Sequence, residues 1–147
     1  MNLDRYTQKA QEAILQSQQI AQDSNHQTIE PAHLLMALIQ QKDGVVPAIV
    51  TKLSGSTEGL RQEMQQVLDK LPKVTGSGAG DVGLSRTAAD VLQAAERYAK
   101  GMQDEYVSAE HLLLALTESS EGKHLAQFGL TKDAILRALT EVRGNQR

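Results

Sequence analysis

The sequence predicts an all-α domain of two pseudo-symmetric four-helix repeats, eight helices in total, joined by a glycine-rich linker. Three observations carry that expectation. Residues 6 to 48 align without a gap on residues 84 to 126 at a fixed offset of 78, and His33-Leu34-Leu35-Met36-Ala37-Leu38 returns as His111-Leu112-Leu113-Leu114-Ala115-Leu116. Only about a fifth of the aligned positions are identical, but nearly all of them fall where a helix would bury its face, which marks a structural duplication. Apolar residues recur at spacings of three and four along each copy, the period of an amphipathic helix. The 147 residues contain one Phe, three Tyr and no Trp, so the core must be built from Leu, Ile, Val, Ala and Met, which favours close helix packing over a β-sandwich.

In the first copy Ala10, Ala13, Ile14, Ser17, Ile20 and Ala21 form one face of a helix running from about Thr7 to Asp23. Ala88, Val91, Leu92, Ala95, Tyr98 and Ala99 repeat that face. Thr7 and Ser85 precede the two helices at equivalent positions, where a side-chain oxygen accepts from the free N–H groups of the first turn; each cap contributes roughly 1 kcal/mol. The second helices open at Glu30-Pro31 and Ser108-Ala109. Proline suits a first helical position because its missing donor would be unpaired there, while Ser108 caps and Glu110 complements the helix dipole. Their runs through Leu38 and Leu116 are apolar on more than one side, which predicts the most buried helix of each copy.

Gly44 and Gly122 are expected to stop these second helices, with short third helices at about Val46 to Leu53 and Lys123 to Phe128. Fourth helices are predicted around Leu60, Met64, Val67 and Leu68, and around Ile135, Leu136, Leu139 and Val142, the latter capped by Thr131 with Leu130 as its hydrophobic staple. The domain is read as one unit over residues 1–147, with a first repeat to about residue 70, a linker over 71–83 and a second repeat over 84–143. The linker, Leu71-Pro72-Lys73-Val74 followed by a run with four glycines in eight residues, is expected to be too polar and glycine-rich to pack. Gly144 is expected to end the last helix, and 144–147 to open an inter-domain linker.

Composition narrows the chemistry. With no cysteine there are no disulfides, thiolate nucleophiles or cysteine-type zinc sites. The longest apolar runs are too short to span a bilayer and the N-terminus lacks a signal-peptide pattern, so a cytoplasmic protein without membrane partners is expected. A net charge of −3 with both signs mixed gives no basic stripe, and nucleic acid is not expected as a partner. No GxSxG, GxxxxGK[ST] or HExxH is present, and Gly76-Ser77-Gly78-Ala79-Gly80 follows no apolar strand as a phosphate loop would. His33 and His111 occupy matching helix starts, which points to a structural role; no catalytic set and no metal site is expected. Asp104, Glu105 and Glu110 are the densest acidic cluster, readable either as a solvated rim or as a site for basic and amide groups of a peptide. The chain therefore reads as a binding module, with no cofactor of its own and, once eight short helices share one core, as a monomer.

The two HLLxAL elements, the helix start at Tyr6-Thr7, Ile29-Glu30-Pro31-x-His33-Leu34, the opening Asn2-Leu3-Asp4-Arg5 and the Leu71-Pro72-Lys73-Val74 link resemble the Clp N-terminal domain, a double Clp repeat, and within it the ClpB disaggregase branch more than ClpC or ClpA. The resemblance covers essentially the whole chain. It implies a module that grips unfolded or aggregated polypeptide for a homohexameric ATPase ring, whose own modules hold ATP and Mg and which works with the DnaK chaperone system. The alternative it leaves is an adaptor-docking domain of a ClpC- or ClpA-type unfoldase that feeds a protease. It also implies substrate contacts at Thr7, Asp104 and Glu110, with an apolar groove near Ala94, Tyr98 and Leu112. Thr7 remains a helix cap on the residue-level reading. The copies disagree where this surface is implied: Ile20 against Tyr98, His26 against Asp104, Ala32 against Glu110.

Overall fold

A computed structural model describes residues 2–74 and 82–145. These residues form eight α-helices: α1 Gln8–Asp23, α2 Pro31–Ile39, α3 Val45–Ser54, α4 Glu58–Asp69, α5 Arg86–Gly101, α6 Ala109–Leu116, α7 Gly122–Gln127 and α8 Lys132–Asn145. Extended structure among them is limited to three isolated β-bridges. The protein is thus all-α, with four helices in each repeat.

The first helices begin as the sequence dictates. Thr7 Oγ1 accepts from the Ala10 N–H at 3.2 Å, and Ser85 Oγ accepts from the Ala88 N–H at 3.1 Å. The second helices are the centre of the molecule: every residue of α2 is buried, and so are all of α6 except Glu110. Leu35, Leu38, Leu112, Leu113, Leu114 and Leu116 are fully buried. Each such side chain stabilises the fold by about 1.5–3 kcal/mol relative to exposure. α1 lies on α2 and α5 on α6, and the two pairs then interlock, since α1 also meets α6 and α2 meets α5. The peripheral helices cross between repeats as well, α3 against α8 and α4 against α7. One continuous core therefore serves both copies.

The loops obey the same pseudo-symmetry. Tyr6 bridges Val107, and Ile29 bridges Leu84 at the equivalent place. The backbone hydrogen bonds match: Val107 N–H to Arg5 O and Ile29 N–H to Gly83 O, both 2.8 Å, then Thr7 N–H to Val107 O at 2.9 Å and Ser85 N–H to Ile29 O at 3.0 Å.

Three expectations are corrected. Gly44 and Gly122 do not stop the second helices, which end earlier at Ile39 and Leu116; Gly44 caps α3 and Gly122 is the first residue of α7. Gly122 is needed because a Cβ there would lie 2.2 Å from the Thr117 carbonyl oxygen. The ends of the linker do pack. Val74 donates its N–H to Asn25 O at 2.8 Å, Lys73 bridges His26, and Val82 is buried with Ala21 and Ile29; the glycine run over 75–81 lies outside the described residues. Gly144 does not end α8, which continues to Asn145.

Candidate functional site

Residues 94, 98 and 102 recur every four positions and so share one face of the α5 end of the molecule. That face borders two adjacent clefts. The larger, about 410 Å³, is lined by Tyr98, Gly101, Met102, Lys132 and Leu136. The smaller, about 260 Å³, has Val91, Ala94 and Ala115 at its base and Thr87, Asp90, Ser119 and Ser120 around it. Arg97 and Glu118 belong to both, and the Tyr98 hydroxyl donates a hydrogen bond to the Glu118 carboxylate, forming the ridge between them. Burial, and then the Glu118 carboxylate, push the Tyr98 hydroxyl up to about 12, so it remains a donor at neutral pH. The Lys132 ammonium sits 5.3 Å from the centre of the Tyr98 ring, a cation–π geometry that holds α8 over α5. Tyr98, Met102 and Leu136 are half-buried and rest on the core, so they offer apolar surface without being free to rotate away.

The acidic residues lie at the C-terminal end of α5 and the start of α6. Arg143, near the end of α8, donates to Asp104 Oδ2 at 2.8 Å and to Glu110 Oε2 at 3.1 Å. His111 Nε2 meets the same Asp104 Oδ2 at 2.7 Å, while its Nδ1 accepts the Ser108 N–H at 2.8 Å. Burial would push the Asp104 carboxyl up, but the hydrogen bonds from Arg143 and His111 outweigh it and hold it below its usual value. For Glu110, burial is likewise outweighed by hydrogen bonds from Ser108, from its own backbone N–H and from Arg143. Both acids are therefore ionised and internally paired.

The predicted residues thus fall into three places. Ala94 and Tyr98 are on one face, although Ala94 is largely buried at 5% exposure and contributes floor more than wall. Asp104 and Glu110 are joined by Arg143. Thr7 is anchored by its backbone to Val107, three residues from each of those acids, and its hydroxyl is committed to capping α1. Leu112 lies at 0% exposure inside the core and presents no surface to a ligand. Sequence reasoning missed Met102, Leu136, Lys132, Glu118 and Arg143. The first two carried a signal in their spacing against Tyr98 and along α8; the pairing of Arg143 across 39 and 33 residues left none. Among the described residues, no group of three or more His, Asp or Glu is placed to hold a metal ion, and no helix is long and apolar enough to cross a membrane.

Comparison with known proteins accounts for this architecture. Residues 5–128 match the family described as the Clp repeat N-terminal domain. The chain is 40% identical to the chaperone protein ClpB of Clostridium tetani and 39% identical to that of Vibrio cholerae, in each case over all of this chain. It spans less than a fifth of those relatives, 18% and 17% of their lengths. Among solved structures, the Hsp104 N-terminal domain from Candida albicans superposes with a TM-score of 0.79 at 26% identity, covering 98% of this chain and 95% of that one. The N-terminal domain of the ClpV1 ATPase from E. coli, at 22% identity and a TM-score of 0.75 over 92% of this chain and 83% of that one, shares the fold. The duplicated helices, the interlocked core and the sequence relatives agree, and the chain belongs to the Clp repeat N-terminal domain family, with ClpB chaperones as its relatives.

Proposed function

We propose that this domain recruits unfolded or aggregated polypeptide for a ClpB-type chaperone by seating the apolar side chains of an extended segment in the cleft between α5 and α8. The observation that supports this most is the combination of half-buried Tyr98, Met102 and Leu136 with a rim carrying both charge signs, Arg97 and Lys132 against Glu118. Apolar side chains gain by leaving water there, while the rim meets polar backbone groups and flanking charges of almost any sequence. Affinity is expected to be micromolar or weaker, because a shallow cleft buries little area against the cost of ordering a flexible chain. In this reading the captured segment passes to a homohexameric ATPase ring outside this chain, whose own modules use ATP and Mg, in concert with a DnaK system.

The test is fluorescence anisotropy of a labelled, unfolded peptide containing Leu, Val and Lys. Met102→Gln and Leu136→Gln should each weaken binding at least about fivefold with helical circular dichroism unchanged, whereas Gln16→Glu, at the position of the first repeat equivalent to Ala94, should not. Unchanged affinity in both cleft variants would overturn the proposal.

A further inference from the structure

The duplication places two hydrogen-bonded pairs in the same backbone frame. In the second repeat, Gln103 adopts φ 59°, Asp104 donates its N–H to Ala99 O at 2.9 Å and its carboxylate meets His111. In the first, Asn25 adopts φ 59°, His26 donates its N–H to Ala21 O at 2.9 Å, and its ring meets His33. Two residues differ in the frame: the imidazole of His26 stands where the second repeat has the Asp104 carboxylate, and Glu30 stands at the helix cap where the second repeat has Ser108.

Proton positions follow from the fixed donors. The Glu30 N–H donates to His33 Nδ1 at 2.8 Å, so the His33 proton is on Nε2 and points at His26 Nδ1, 2.7 Å away. His26 then carries its own proton on Nε2, a buried atom near the Leu68 carbonyl that makes no well-formed hydrogen bond. An added proton has nowhere to go in this pair. On His26 Nδ1 it faces another N–H, and on His33 Nδ1 it faces the Glu30 N–H. The second repeat differs at the other ring nitrogen: His111 Nδ1 accepts the Ser108 N–H at 2.8 Å as His33 Nδ1 accepts that of Glu30, but its Nε2 proton meets a carboxylate, Asp104 Oδ2 at 2.7 Å, and not a second imidazole.

We propose that the His26–His33 pair is a proton-operated latch that pins residues 71–74 to the first repeat, a device without equivalent in the second repeat, where a carboxylate takes the place of one imidazole. The pinned segment is attached to the loop that carries His26: Lys73 bridges His26 and the Val74 N–H donates to Asn25 O at 2.8 Å. The groups facing His26 are His33 and Glu30 from α2 and its cap, Asp69 from the end of α4, and Lys73 from the pinned segment; those facing His33 are His26 and Glu30. Burial, then the Lys73 cation, hold His26 below the usual histidine value. Burial, then His26, take His33 down to about 4. A histidine whose folded value is depressed supports the closed state in its neutral form, fully above about pH 6.5, and that support is lost as pH falls toward about 4.

Hydrogen exchange at the Val74 amide, corrected for intrinsic rates, reads the latch in the intact domain. With His33 moving from about 6.5 to about 4, protection should fall about twentyfold between pH 7 and pH 5, while the Val107 amide, its bond to Arg5 O intact, should hold. His26→Asp places a carboxylate opposite His33, as Asp104 stands opposite His111, removes the imidazole pair and should abolish the fall at Val74. Val74 protection that stays flat to pH 4.5, that falls in step with Val107, or that falls equally in a folded H26D protein would overturn the proposal. Nitrogen-15 titration of the wild-type imidazoles decides the matter should H26D not fold: His33 neutral at pH 5.5 supports the latch, and His33 already charged there overturns it.

Discussion

Removing the Arg143 guanidinium by Arg143→Ala leaves Asp104 and Glu110 facing each other without their shared cation. The three side chains are 33%, 28% and 15% exposed, between the surface pairs worth under about 1 kcal/mol and the buried pairs whose disruption costs about 3–5 kcal/mol. Three charge-assisted bonds are lost, two to Asp104 and one to Glu110, and one well-buried carboxylate is left without its cation, so the expected cost is about 2 kcal/mol at pH 7, or a fall in Tm of about 4–8 °C. The sign of the pH dependence is fixed. Both carboxyls are held below their usual values in the folded wild type, so the stability they confer is present above about pH 4.5 and is lost as pH falls through their folded values. The gap between wild type and variant should therefore narrow on acidification. Urea denaturation followed by circular dichroism at pH 7 and pH 4 measures both. A cost under about 0.5 kcal/mol at pH 7, or a gap that stays constant down to pH 4, would refute the reasoning that Arg143 closes the acidic pair.

Leu112→Ala should cost about 2–5 kcal/mol in urea denaturation, because the side chain is fully buried in the core; a cost under about 1 kcal/mol would show that it faces solvent. Gly122→Ala drives a Cβ to 2.2 Å from the Thr117 carbonyl, and should lower Tm clearly, whereas Gly101→Ala, which meets nothing within 4 Å, should be neutral or gain up to about 1 kcal/mol. Thr7→Ala and Ser85→Ala should cost about 1 kcal/mol each, since both hydroxyls cap equivalent helices; unequal costs would mean that one hydroxyl does more than cap.

The helices were legible because their faces repeat every three to four residues and because two copies confirmed each other. The caps at Thr7, Ser85 and Thr131 were legible for a local reason: the acceptor lies within three residues of its donor. Glycines mark punctuation without saying on which side of it a helix lies, which is why Gly44 and Gly122 turned out to open helices. The site was harder to read. A run such as Leu112-Leu113-Leu114 is apolar all round, so its pattern cannot separate a groove wall from the core. Arg143 pairs with residues far along the chain and on another helix, a relation that no spacing encodes. His26 and Asp104 were visible as a disagreement between copies, yet its meaning depended on proton positions that only the two hydrogen-bonded frames define.

Methyl and amide NMR of the domain, titrated with an unfolded model polypeptide, bears most directly on whether the second repeat is the peptide-binding face. Saturable shifts are expected at the methyls of Met102 and Leu136 and at the amides around Tyr98 and Glu118, with Gln16, Ala37 and Gln40 of the equivalent first-repeat face unmoved. Shifts spread equally over both repeats, or none at Met102 and Leu136 while the polypeptide still binds, would contradict it.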